Sequence, residues 1–100
     1  MKWRFHPDAL QEAEDAAAYL GDRSIWMGDR FAETLEAGIQ SILQRPTSYP
    51  VIGDDVRVFR LKQFPYHLYY VLSNDGREIV IYAVAHTKRR PDYWRERVPE

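Results

Sequence analysis

One hundred residues with 45% hydrophobic and 14% aromatic content supply a single modest core, which excludes a disordered chain and leaves no room for a second domain. The absence of cysteine excludes disulfides, thiolate metal sites and cysteine nucleophiles, and points to a reducing compartment. A net charge of −1, from 14 basic and 15 acidic residues, with a pI of about 6.3, removes any global attraction to nucleic acid, so no direct DNA binding by the chain alone is expected.

The N-terminal MKWRFHPDAL has no signal-peptide apolar run, and no stretch approaches the roughly 18 apolar residues of a membrane span. A cytoplasmic protein with no membrane partner is the expectation. In MKWRF, Met1, Trp3 and Phe5 alternate with Lys2 and Arg4, the pattern of a half-buried strand. HPD then opens a helix, either with Pro7 in its first turn or with Asp8 as N-cap and Gln11 completing a capping box. The helix is predicted to run to about Leu20 on a stripe of Leu10, Ala13, Ala17 and Leu20, with Gly21 as its stop. Its small alanines suit close approach to another element.

Ser24 is placed to cap a second helix whose Phe31, Leu35, Ile39, Ile42 and Leu43 keep one face apolar until Pro46 ends it. The two helices make a hairpin. PTSYPVIGDD reads as loop, punctuated by Pro46, Pro50 and Gly53. Three strands follow, VRVFRLK, YHLYYVL and REIVIYAVAH, rich in β-branched and aromatic residues. NDG signals a tight hairpin between the last two, and Phe64-Pro65 marks the turn before them. A short tail helix is predicted over residues 92–97. The fold class is α+β: an N-terminal strand and a two-helix hairpin on one face of an antiparallel sheet, with a short C-terminal helix or tail.

The charge is unevenly spread. Residues 1–50 hold five cations against eight anions, and residues 51–100 hold nine against seven. Two basic patches stand out: Arg57, Arg60 and Lys62, and then Lys88, Arg89, Arg90, Arg95 and Arg97, diluted by Asp92 and Glu96. Period-two alternation puts Phe59, Leu61, Tyr66, Leu68, Tyr70 and Leu72 toward the helices. Val58, Arg60, Lys62, His67, Tyr69 and Val71 then face the other way, so Arg60, Lys62, His67 and Tyr69 lie on an uncovered side near residues 88–90. The bland alternative is that such cations merely solvate a free sheet face and protect its edge.

Conventional chemistry finds little support. His6, His67 and His86 are scattered without partners at metal-ligand spacing, the four serines sit in cap, helix, loop and turn contexts, and the five glycines form no phosphate cradle. Neither a metal nor a cofactor is expected. His86, ending a strand beside the cations, is the one histidine singled out as a candidate acid or base. Ile25, Trp26 and Met27, between the helices, are more apolar than a linker requires, which suits either a binding surface or local core packing.

VRVFRLKQFPYHLYYVL and EIVIYAVAHTKRRPDYW, together with the opening strand and HPDALQEAEDAAAYL, resemble the RelE/ParE superfamily of type II toxin–antitoxin toxins. The resemblance runs over nearly the whole chain, as one toxin domain covering residues 1–100, and leans to the ParE-like branch. It implies a toxin neutralised by a cognate antitoxin. ParE-like members inhibit DNA gyrase, whereas RelE-like members cut mRNA on the ribosome. At the positions where the ribonuclease branch places two lysines, two arginines and a tyrosine, this chain has Val58, Arg60, His67, Lys88 and either Trp94 or Tyr93. Under that alternative the catalytic set is Arg60, His67, His86 and Lys88, a weakened set for a reaction needing a base, an acid and cations around a phosphorane.

The low pI also fits poorly with entry into the polyanionic ribosome. A gyrase inhibitor needs a protein-contact surface, for which Arg60, Lys62, Lys88, Arg89, Arg90, Tyr93, Trp94 and Arg95 are the candidates, with Ile25, Trp26 and Met27 for the antitoxin. A third possibility is an inactive module that retains only antitoxin binding.

Overall fold

A computed structural model describes residues 1–99. The chain runs β1 (Lys2–Phe5), α1 (Pro7–Arg23), α2 (Ile25–Gln44), β2 (Val51–Gly53), β3 (Val56–Arg60), β4 (Tyr66–Leu72) and β5 (Glu78–His86), closing with a 3-10 turn at Arg95–Arg97. The five strands form one sheet in the order β1-β5-β4-β3-β2. The α+β class holds, but the sheet is mixed, because β1 pairs parallel to β5 while every other pairing is antiparallel. Alternation in a sequence marks a strand's two faces and says nothing of its neighbour or direction.

Pro7 takes the first helical position, and the Nδ1 atom of His6 accepts from the Asp8 N–H, so His6 caps α1 and the Asp8 capping box does not form. α1 buries Ala9, Ala13, Ala16 and Leu20. This stripe is rotated from the predicted one: Leu10 is exposed and Ala17 only packs at the margin. Gly21 does not stop α1, which continues to Arg23. Its value is close approach instead. A Cβ on Gly28 of α2 would lie 2.9 Å from the Gly21 Cα, so the helices cross where neither has a side chain. Ser24 sits at the N-cap of α2 in extended backbone, but its hydroxyl makes no capping bond.

Below the helices, Phe31, Ile39 and Ile42 meet Leu61, Leu68, Tyr70, Ile79, Ile81 and Val84, which is the main core. The predicted inward set of β3 and β4 is the one that packs there. Two turns differ from expectation. Val51–Gly53 pairs with β3 through Asp54 and Asp55, both at positive φ, so part of the presumed loop is a strand too short to show a period. Between β4 and β5 the NDG segment lies in a five-residue loop in which Gly76 alone has positive φ, closed by the Ser73 hydroxyl and the Asp75 carboxylate on the Arg77 N–H.

The largest departure is on the sheet's second face, which is not left open. Val56, Ala83, Ala85 and Trp94 are buried there, with Tyr69, Val71, Tyr93 and Val98 packed around them. The tail makes this cover, and only three of its residues are helical, because Asp92 turns left-handed at φ 62 and breaks the segment.

Candidate functional site

Three chain segments meet at one end of the sheet: the end of β3, the 61–65 turn and the 87–90 turn. The Leu61 N–H donates to the Tyr66 carbonyl at 3.0 Å and closes the first turn, and the Thr87 N–H donates to the Pro65 carbonyl at 2.9 Å and holds the second beside it. Arg60 pairs across the strands with His67. Arg60, Lys62, Lys88 and Arg90 are exposed, and none of them forms an ion pair among the described residues. Beside them lies a pocket of about 140 Å³ whose lining includes His67, Tyr69, His86, Arg90, Asp92 and Tyr93. Burial, and after it the Arg60 cation, lower the His67 pKa from 6.5 and favour its neutral form.

The tail residues predicted as contacts take another role. Trp94 is 2% exposed, stacked on Tyr69 with centroids 4.6 Å apart, so its indole cannot be presented to a partner in this conformation. The residues beneath it are Ala83 and Ala85, small enough to admit the ring. They reach that face through a bulge: Tyr69 pairs with Ala83 but Tyr70 with Ile81, which leaves Tyr82 extra and shifts the alternation of β5 by one. Arg95 is likewise committed, to Asp54 at 3.0 Å and Asp92 at 3.3 Å.

Glu12, which the sequence reading passed over, organises the margin of this face. Its carboxylate accepts from the Val84 N–H at 3.0 Å, the Tyr93 hydroxyl at 2.7 Å and Arg89 Nη1 at 3.2 Å. Arg97 donates to it twice, at 3.0 and 2.9 Å, and also to the Tyr82 carbonyl at 2.8 Å. β1 ends before this part of β5, so Glu12 and Arg97 satisfy backbone groups that a longer strand would have paired. Burial, then the hydrogen bond to Glu12, push the Tyr93 hydroxyl pKa upward. Burial opposes the Arg97 charge, yet Glu12 beside it raises its pKa. A signal was present in the sequence: Glu12 falls between Ala9 and Ala16 on the buried stripe, where a carboxylate requires partners.

The four groups of the ribonuclease alternative do not share one face, although His67 and His86 both border the 140 Å³ pocket. His86 pairs with Tyr66, whose ring packs on Phe31, so both rings lie on the helix side. Arg60 and His67 lie on the opposite side. The His86 Nδ1 atom accepts from the Lys88 N–H and shapes the turn. Val58, at a lysine position of the ribonuclease branch, is 2% exposed. At the tip of the helix hairpin, where Trp26 and Met27 border Gln63 and Phe64 of the 61–65 turn, Ile25 and Trp26 are 78% and 79% exposed and Met27 is 40% exposed, so this cluster is not local core packing.

The family model described as "ParE toxin of type II toxin-antitoxin system, parDE" matches residues 3–91. The chain belongs to the ParE toxin family. Membership makes it a type II toxin–antitoxin toxin within the RelE/ParE superfamily and implies an antitoxin partner. The fold of this ParE-family toxin is similar to a chain of the chromosomal ParDE system from P. aeruginosa, with TM-score 0.57 and 14% identity over 88% of this chain and 97% of that one. Comparison with the curated proteins found no match. The family match ends at Pro91, ahead of Tyr93, Trp94 and Arg97. No helix among the described residues is long and apolar enough to cross a membrane.

Proposed function

We propose that this toxin inhibits DNA gyrase by protein–protein contact through the cationic end of its sheet, and that its cognate antitoxin docks on Ile25, Trp26 and Met27. One observation carries the proposal: Arg60, Lys62, Lys88 and Arg90 are exposed and form no ion pair among the described residues, gathered by two adjoining turns. Arginine rich in contact potential and free of internal partners is what a protein interface uses. Arg89 contributes from beneath, since its guanidinium lies 3.8 Å over the Tyr93 ring. Tyr93, Trp94 and Arg95 act as the frame of this surface and not as its contacts. For the antitoxin, three large apolar side chains exposed in a row support a docking role.

Purified toxin added to a supercoiling assay tests the first part. Inhibition that Arg90→Ala and Lys88→Ala weaken and added antitoxin reverses is expected. Intact supercoiling together with mRNA cuts on ribosomes would transfer the activity to the RelE-like alternative. If neither assay responds and overexpression leaves growth unaffected, the protein is an inactive antitoxin-binding module.

A further inference from the structure

The backbone of residues 89–98 makes no ladder with the sheet. Its hydrogen bonds are local, from Arg89 to the His86 carbonyl, Arg95 to Asp92, Arg97 to Trp94 and Val98 to Arg95. The pose of the segment therefore depends on side-chain anchors: the Trp94 stack, the bond of Arg95 to Asp54, and Glu12. Glu12 differs from the others in gripping the segment at both ends, at Arg89 and at Arg97, with Tyr93 between. Arg89 is also flanked in sequence by Lys88 and Arg90, so whatever fixes Arg89 fixes the two exposed cations beside it.

We propose that Glu12 is a positioning residue for target engagement: from α1 it holds residues 89–97 in one pose and thereby sets where Lys88 and Arg90 point. This builds on the reading that the cationic end meets the target. Charge separates positioning from attraction. Removing Glu12 makes the surface more positive and frees Arg89 and Arg97, so a surface working by net charge alone would bind an acidic target better. A positioned surface binds worse, because the freed segment must be reordered on binding.

The test compares the full chain with its Glu12→Gln and Arg97→Gln variants, the second removing a partner of Glu12 while leaving α1 untouched. Three measurements are made: amide hydrogen exchange over residues 87–98, growth arrest on antitoxin-free induction, and supercoiling inhibition. Both variants are expected to exchange at least about tenfold faster in the tail and to need at least about tenfold more toxin for inhibition, as loss of a partly buried charged anchor implies. Antitoxin affinity, read at a hairpin tip that borders the 61–65 turn but lies roughly three helical turns along α1 from Glu12, should stay within about twofold and so certify the fold.

Tail exchange unchanged in Glu12→Gln overturns the proposal whatever the target is. Equal or stronger growth arrest by Glu12→Gln overturns it too. Should the parent chain arrest growth without inhibiting supercoiling, the gyrase reading fails while Glu12 is still judged on exchange and growth.

Discussion

The two faces of the sheet are covered by different means. On one, α1 and α2 lay Ala9, Ala13, Phe31 and Ile42 on Leu68, Tyr70, Ile79 and Ile81, an apolar contact with no charged side chain in it. On the other, a few tail residues cover two alanines with one indole, and polar groups anchor the margin: Glu12 to Arg97 on one side, Asp54 to Arg95 on the other. The first face supplies area removed from water and hence stability. The second supplies orientation. Ion pairs add little to net stability once desolvation is counted, but they hold a short segment in one geometry. Arg60, Lys62, Lys88 and Arg90, which form no ion pair among the described residues, lie beside the second face, so on the proposed reading the stable half of the molecule is the scaffold and the pinned half carries the target surface.

Phe31→Ala should have the largest effect, destabilising the whole protein by about 3–5 kcal/mol in urea or thermal unfolding, since the ring is fully buried against Phe64 and Tyr66. Trp94→Ala should cost about 3 kcal/mol, at the lower end of the range for a buried aromatic, and speed exchange mainly in residues 83–98, because the tail can loosen without opening the helix core. A larger loss for Trp94→Ala than for Phe31→Ala would reverse the roles of the two faces.

A smaller effect is expected from His67. The fold lowers its pKa from 6.5, so the unfolded chain binds the proton first as the medium acidifies. The contribution of His67 to stability is complete above about pH 6.5 and is lost as the pH falls through the folded value. His67→Gln should flatten the pH dependence of stability over that window. An unaltered slope would place the acid sensitivity elsewhere. The smallest stability effect belongs to Trp26→Ser, within about 0.5 kcal/mol for a residue outside both cores. The same substitution should weaken antitoxin binding; unchanged affinity would remove the hairpin tip from the interface.

Much of the scaffold was legible from residue order. The periods of Phe31, Ile39 and Ile42 and of Leu68 and Tyr70 select the faces that pack, and Pro7 and Pro46 bracket the helices within a residue or two of their observed ends. Local spacing suffices there because a helix or strand has a fixed period and one face seeks burial. The candidate site was legible only in part. The patches at Arg60, Lys62 and 88–90 were visible as composition, but which of their cations form ion pairs depended on where Glu12, Asp54 and Asp92 came to lie.

By itself the sequence determined the element types, the apolar face of α2, the inward set of β4 and the resemblance to a toxin family. Only the tertiary structure decided that Trp94 turns inward, that a bulge at Tyr82 places two alanines beneath it, that His67 and His86 lie on opposite faces, and that Glu12 meets Arg97 from 85 positions away. The physical reason is range: hydrophobic periodicity acts between near neighbours along the chain, whereas a buried charge is matched by whichever partner the fold brings within reach.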